Sequence, residues 1–293
     1  MKKVLIKSIK LKLSEVDMKI IADSSCDLTP EIEKELNITL VPLTIRVGDQ
    51  NFRDDKNLDL KGMMSAIKNH HKASQSSCPS PQDFIDAFNN AETVFVVTMT
   101  SALSGTYNSA MKAKEIYEEE NENKFVHIFD SKGSSVKETM IALKLRELID
   151  LNLNRADIVD QTQQYVDNLK YLFRLGNLDT MIKSGRISKL KGMVANVLNI
   201  RPILCSNPQG EVELVENVRS EKKTLRRLVE LIGEVGANLE NKSLGISHCF
   251  ASEKAEYLKK EIESLYPFKK VFIVPMAGLS SFYTNEGGIT IAF

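Results

Sequence analysis

The stretch 93–110, TVFVVTMTSALSGTYNSA, constrains this chain more than any other, because it joins two regular elements through a loop of small and hydroxyl-bearing residues. Val94, Phe95, Val96 and Val97 form a short apolar run of the kind found in strands covered on both faces, as in a parallel sheet. After Ser104 the spacing turns helical, with Ala110, Ala113 and Ile116 at three-residue steps and Lys112, Lys114 and Glu115 between them. The pattern predicts a strand over 93–99 and a helix over 104–119. A helix leaves its first backbone N–H groups without intrahelical partners, and open α/β sheets bind ligands at the carboxyl ends of their strands. Ser104 is placed to cap the helix and Gly105 to let a ligand approach the backbone. Thr100, Ser101 and Thr106 add hydroxyls, so the loop reads as an anion pocket. It lacks the lysine of a G-x-x-x-x-G-K-[ST] phosphate cradle, which suits a singly charged carboxylate better than a triphosphate. An ordinary strand-to-helix turn with a serine cap stands beside that reading as the alternative.

The rest of the first half keeps the same alternation. Strands are expected at 19–22, 38–46 and 125–129, and helices from Pro30 and over 60–69, 81–91, 134–150 and 155–168. This is the grammar of an α/β domain built on a parallel sheet. Pro30 behind Thr29, with Asp27 also a capping type, specifies the start of the first helix. Beyond Lys170 the grammar changes. Strands 200–205 and 211–217 meet at Asn207-Pro208-Gln209-Gly210, a turn cluster that predicts an antiparallel hairpin. A helix over 220–236 follows, its stripe of Leu225, Leu228, Val229, Ile232 and Val235 expected to pack in a core. Strand 243–248, helix 252–265 and strand 270–274 then form a βαβ-like unit. The expected organisation is a leader over 1–17, set outside the fold as disordered or non-native, an N-terminal α/β domain over 18–168 and a C-terminal α+β domain over 169–293.

At 293 residues and 42% hydrophobic content, the chain has material for two modest cores. Lys+Arg and Asp+Glu both number 39, so there is no net basic field to favour nucleic acid. No apolar run approaches the roughly 18 residues of a membrane span, and no signal-peptide core is present. The expectation is a cytoplasmic protein without an integral membrane segment. Cys26, Cys78, Cys205 and Cys249 show no C-x-x-C spacing, and His70, His71, His127 and His248 form no H-x-x-x-H pair, so neither a metal nor another cofactor is expected.

Two more hydroxyl clusters occur, Ser74-Gln75-Ser76-Ser77-Cys78-Pro79-Ser80-Pro81 and Ser280-Ser281-Phe282-Tyr283-Thr284. With DSSCDLTP at 23–30, TSALSGTYNSA at 100–110, MIKSGRISKLKG at 181–192 and Asn199-Ile200-Arg201-Pro202-Ile203-Leu204, their order resembles the DegV family of lipid-binding proteins. That family carries D-S-T-x-D-L-P, T-S-Q-P-S-P, S-S-x-L-S-G-T, K-G-G-R-I-S and N-I-K-P-I-L, and the likeness runs from Met18 to Phe293. The resemblance implies an N-terminal α/β domain and a C-terminal α+β domain holding a fatty acid between them, the carboxylate at the junction and the tail in the C-terminal domain. It further implies a carrier that presents the acyl group to a separate fatty acid kinase for acyl-phosphate formation.

Carried over by position, the carboxylate-binding serine falls on Ser101 and the threonine of T-S-Q-P-S-P on Ser76. The glutamine of that motif becomes Cys78, and the C-terminal T-H-V-G-P-G places Tyr283 where the family has histidine and Glu286 where it has proline. A phenol donates a hydrogen bond but cannot become cationic as imidazole can, so this anchor is expected to be neutral. Glu286 would weaken anion binding unless it turns to solvent or is protonated. Arg186, amid Lys183, Lys189 and Lys191, becomes a candidate for the domain junction or for a surface met by the kinase. The competing reading is an enzyme acting on a small carboxylate or acyl phosphate, with Ser101 as nucleophile and Asp23 or His127 as helper. No G-x-S-x-G elbow supports it. A sensor whose ligand controls a protein partner is a third possibility.

Overall fold

A computed structural model of the chain describes residues 18–70, 73–89, 91–121, 123–187 and 200–293. The expected leader over 1–17, together with Lys189, Lys191 and Asn199, lies outside the described residues. The first half runs β1 (Met18–Asp23), α1 (Pro30–Leu36), β2 (Ile38–Val41), β3 (Thr44–Val47), β4 (Gln50–Arg53), α2 (Leu60–Asn69), β5 (Gln75–Ser77), α3 (Pro81–Phe88), β6 (Thr93–Thr98), α4 (Thr106–Glu119), β7 (Phe125–Asp130), α5 (Val136–Asp150) and α6 (Arg155–Asn168). The second runs β8 (Tyr171–Arg174), α7 (Asp179–Lys183), β9 (Ile200–Ser206), β10 (Val212–Arg219), α8 (Glu221–Val235), β11 (Ser243–His248), α9 (Ser252–Leu265), β12 (Lys270–Pro275), α10 (Gly278–Thr284) and β13 (Ile289–Ala292).

The apolar run of β6 is buried at every residue, as a central parallel strand requires. It pairs in parallel with β1 and β7, and β1 pairs in parallel with β2, giving the order β2-β1-β6-β7. The chain therefore leaves β1 toward one edge and returns to build the other, which puts a topological switch point between the carboxyl ends of β1 and β6. Residues 23–27 and 99–105 emerge there. Thr29 caps α1, its hydroxyl accepting the Ile32 N–H at 3.3 Å, and Pro30 occupies the first turn.

A six-stranded sheet in the order β10-β9-β8-β13-β11-β12 forms the second half, parallel only at β11/β12. The β9/β10 hairpin turns over Asn207–Gly210 as its residues dictate, with a bulge between Leu214 and Glu216. Between the two sheets lies α5, buried on most of its surface and packed against β1 and β6 on one side and β11 and β13 on the other. Each fully buried Leu, Ile, Phe or Met there contributes about 1.5–3 kcal/mol relative to exposure. The architecture is a parallel-sheet α/β unit joined to a mixed-sheet α+β unit.

Several local expectations differ from the structure. The strand over 38–46 is two strands, because Pro42 interrupts it and sends β3 into a separate antiparallel sheet, β4-β3-β5. The helix expected from 104 starts at Thr106, and that expected from 134 starts at Val136 behind Ser135 at φ +60°. The helix over 81–91 stops at Phe88, where Asn89 turns left-handed. In α8, Leu225, Leu228, Val229 and Ile232 are buried, but Val235 is 40% exposed in the last turn and does not join the core.

Candidate functional site

A cavity of about 480 Å³ opens at the switch point, between the loop that follows β6, the end of β5 and the six-stranded sheet. Met99 and Leu103 from the β6–α4 loop, Tyr171 and Phe173 of β8, Leu175, Met181 of α7 and Val212 of β10 give it a largely apolar wall. Its polar end gathers Ser76, Thr100, Ser101, Ser104, Gly105 and Tyr283, and Arg186 also lines the cavity. Of the hydroxyl and glycine residues read from the 100–106 loop, Thr106 alone does not line it. It is fully buried behind Ser104, whose hydroxyl bonds the Thr106 hydroxyl at 2.8 Å and accepts the Thr106 N–H at 3.2 Å.

The start of α4 faces this cavity through Gly105 and Asn108. Gly105 is the residue before the helix and no side chain caps it, so the first-turn N–H groups and the positive end of a 14-residue helix are directed at the polar end. Ser104 serves one of these donors, Thr106, from two positions upstream of the helix, a capping role displaced from the one the sequence suggests.

The other four hydroxyls of the lining, on Ser76, Tyr283, Thr100 and Ser101, each have a partner. Ser76 of β5 and Tyr283 of α10 are bonded to one another at 2.8 Å across 207 positions of sequence. One proton closes that bond, which leaves the other free to point into the cavity. Thr100 is buried and donates to the Gly210 carbonyl at 3.0 Å, so it fastens the β9/β10 hairpin tip to the β6–α4 loop. Gly210 sits at φ +79°, and a Cβ there would lie 2.1 Å from the Thr100 hydroxyl, so only glycine fits. Ser101 is exposed and gives its hydroxyl to Asp130 at 2.5 Å and its N–H to the same carboxylate at 3.2 and 3.3 Å.

The helper expected for Ser101 is therefore corrected: its carboxylate partner is Asp130 at the end of β7. Asp23 accepts the Ser25 N–H at 2.9 Å and the Met99 N–H at 2.7 Å. His127 lies within β7 with its ring 4.5 Å from that of Phe129, and burial holds its pKa below the usual value. Glu286 is exposed and lines a different cavity, of about 790 Å³, on the other face of α10 with Phe282 and Asn285. It sits away from the polar end and does not oppose an anion there. Arg186 is exposed, lines the cavity and donates from its guanidinium to the Ser184 carbonyl at 2.6 Å.

Below the polar end a set of buried carboxylates ties the elements together. Asp27 accepts the Ala277 N–H at 2.8 Å, the Ser247 hydroxyl at 2.7 Å and the Ser135 hydroxyl, joining the loop after β1 to α5, β11 and the approach to α10. Loss of water raises Asp23 and Asp27 to about 6, with these donors pulling the other way. Glu138 of α5 is pushed further up by burial and by Asp23, and it accepts from the Ser25 hydroxyl. Tyr171, on the cavity wall, is also raised by burial.

Sequence reasoning missed Asp130 and the apolar wall. Asp130 stands level with Thr98 in the β6/β7 register, so the parallel pairing brings it to Ser101, and a strand-ending aspartate was the only cue. Among the described residues no group of three or more His, Cys, Asp or Glu is placed to hold a metal. No helix among them is long and apolar enough to cross a membrane.

A family model described as "Uncharacterised protein, DegV family" matches residues 17–293. A DegV domain-containing protein of Streptococcus pyogenes serotype M3 is 37% identical over 280 residues, covering 94% of this chain and 98% of that one. Among solved structures, a DegV family protein of Ruminococcus gnavus with vaccenic acid aligns at a TM-score of 0.90 and 34% identity, over 94% of this chain and 99% of its own. The fatty acid kinase (Fak) B3 protein of Streptococcus pneumoniae, loaded with linoleic acid, aligns at 0.87 and 36% identity, over 95% and 99%. A Eubacterium eligens DegV family protein loaded with heptadecanoic acid aligns at 0.87 and 30% identity, over 94% and 98%. With sequence and fold agreeing along nearly its whole length, the chain belongs to the DegV family.

Proposed function

We propose that this protein is a fatty-acid carrier that holds a long-chain fatty acid by its carboxylate and presents it to a fatty acid kinase, which forms the acyl phosphate. The observation that carries the reading is one cavity with an apolar wall that is also lined by the start of α4 and by the Ser76–Tyr283 pair. Three relatives of similar fold were solved with vaccenic, linoleic and heptadecanoic acid, and one of them is named for a fatty acid kinase.

In this reading residues 18–168 supply most of the head-group end and residues 169–293 the wall around the tail, with Tyr283 and Arg186 reaching back to the head group. The tail supplies most of the energy. Each buried methylene contributes about 0.8 kcal/mol, so some fifteen contribute on the order of 10 kcal/mol against association costs of several kcal/mol. The head group orients the chain. Ser101, its hydroxyl already given to Asp130, positions the loop, while the free proton of the Ser76–Tyr283 pair, the α4 backbone donors and Arg186 meet the carboxylate. The protein needs no cofactor and no catalytic base for this role, acts in the cytoplasm, and leaves the chemistry to its partner. The test is a phosphorylation assay in which a purified fatty acid kinase, ATP and the lipid-loaded protein yield acyl phosphate. An enzyme using Ser101 would instead turn over acyl phosphate without kinase, and that turnover would be lost in Ser101→Ala.

A further inference from the structure

Asp54 directly follows β4 and is 5% exposed. Its own N–H bonds the Leu43 carbonyl at 2.9 Å, which fixes it to the small β4-β3-β5 sheet. Its carboxylate leaves that sheet and takes hold of α10. Oδ1 accepts the Gly278 N–H and Oδ2 the Leu279 N–H, each at 2.8 Å, and the Ser24 hydroxyl adds a further bond. Position 278 must be glycine for this approach, since a Cβ would come 2.4 Å from Asp54 Oδ1.

The same helix carries Tyr283, bonded to Ser76 on β5. Since β4 and β5 both flank β3, one small sheet holds α10 at two points, its start through Asp54 and its cavity side through Ser76. Leu279 and Phe282 pack between them on Leu43, Ile45 and Met63. Seven residues cannot sustain a helix alone, so where α10 sits depends on these contacts. Asp54 does not line the cavity, and Tyr283 does.

We propose that Asp54 is a positioning residue for the lipid head group: by gripping the first two N–H groups of α10 it sets the Tyr283 hydroxyl against Ser76 at the polar end of the cavity. The inference rests on the fatty-acid reading above. An amide at 54 turns its NH2 toward one of the two N–H groups, so that grip fails on one side and the helix start shifts. A hydroxyl bond of 2.8 Å does not survive a displacement of about 1 Å.

The experiment measures the affinities of Asp54→Asn and the parent protein, both delipidated, for hexadecanoic acid and for hexadecanol, alone and in a Tyr283→Phe background. The acid should weaken about tenfold in Asp54→Asn and the alcohol no more than about twofold, and the acid loss should vanish once Tyr283 is phenylalanine. A merely structural role would weaken both ligands alike and act equally in both backgrounds; that result, or unchanged acid affinity, overturns the inference while leaving the carrier reading intact. A parent protein that binds no fatty acid overturns both. Thermal melting checks that Asp54→Asn folds. If it does not, Asp54→Glu, which keeps the charge and displaces both oxygens, is judged by the same criteria.

Discussion

Asparagine substitutions at positions 23 and 27 should have unequal consequences, although both aspartates sit in one short motif, are fully buried, and are raised from 3.8 to about 6 by loss of water. Asp23 gives each oxygen to a fixed backbone donor, Ser25 N–H and Met99 N–H. An amide there must aim its NH2 at one of them and orphan it. The unmade bond costs about 1–3 kcal/mol. Asp27 gives one oxygen to Ala277 N–H and the other to the Ser135 and Ser247 hydroxyls. Hydroxyls rotate, so the NH2 of an amide introduced at this position can donate to both. Both substitutions remove a buried charge, which at about 1.4 kcal/mol per pKa unit costs about 3 kcal/mol when the pKa rises from 3.8 to about 6, so what separates them is the unmade bond at position 23. Asp27→Asn should therefore be more stable than Asp23→Asn by about 1–3 kcal/mol near pH 7.5.

Urea melts read both differences, with unchanged m-values confirming that stability alone moved. The pH dependence gives a second check. Between about pH 4 and 6 the native state keeps protons that the unfolded chain has released, so these two groups make stability fall as pH rises through that window. Asp27→Asn removes its share of the fall, and the variant should gain on the parent from pH 4 to pH 7. Equal losses for the two substitutions, or a larger loss for Asp27→Asn, would refute the reasoning.

Tyr283→His should tighten fatty-acid binding near pH 6 and do little near pH 8, because imidazolium adds a charge-assisted bond that the phenol lacks; an affinity ratio flat across that range contradicts a head-group position for Tyr283. Ser76→Ala should weaken fatty-acid binding by roughly 1.5 kcal/mol or more, and Ser101→Ala by less, since the Ser101 hydroxyl is committed to Asp130; titration with a fluorescent acyl ligand ranks them. Val212→Trp should fill the tail region and reduce affinity for long chains more than for short ones, which calorimetry across a chain-length series would reveal.

What was legible in the sequence was what is local. The β6–loop–α4 passage carries its own strand pattern, hydroxyls and helix spacing, and the Asn207–Gly210 turn specifies its hairpin without outside help. Elements that exist only through distant partners were not legible. The polar segments Gln50–Arg53 and Gln75–Ser77 become strands by pairing with β3, and Gly278–Thr284, which holds the last hydroxyl cluster, is a helix whose first N–H groups donate to Asp54. Tyr171–Arg174 and Ile289–Ala292, four residues each, are too short to show a period and are strands because they lie side by side mid-sheet. At the site, the family resemblance pointed to Ser76 and Tyr283. That they are bonded to one another follows only from how β5 and α10 are brought together.

The central claim is tested most directly by mass spectrometry of the organic extract of protein purified from bacteria, with the lipid counted against the chain. The account predicts about one equivalent of long-chain fatty acid per chain, one for the 480 Å³ cavity proposed to hold it. Sub-stoichiometric lipid, together with no binding when the delipidated protein is titrated with long-chain fatty acids, would contradict it.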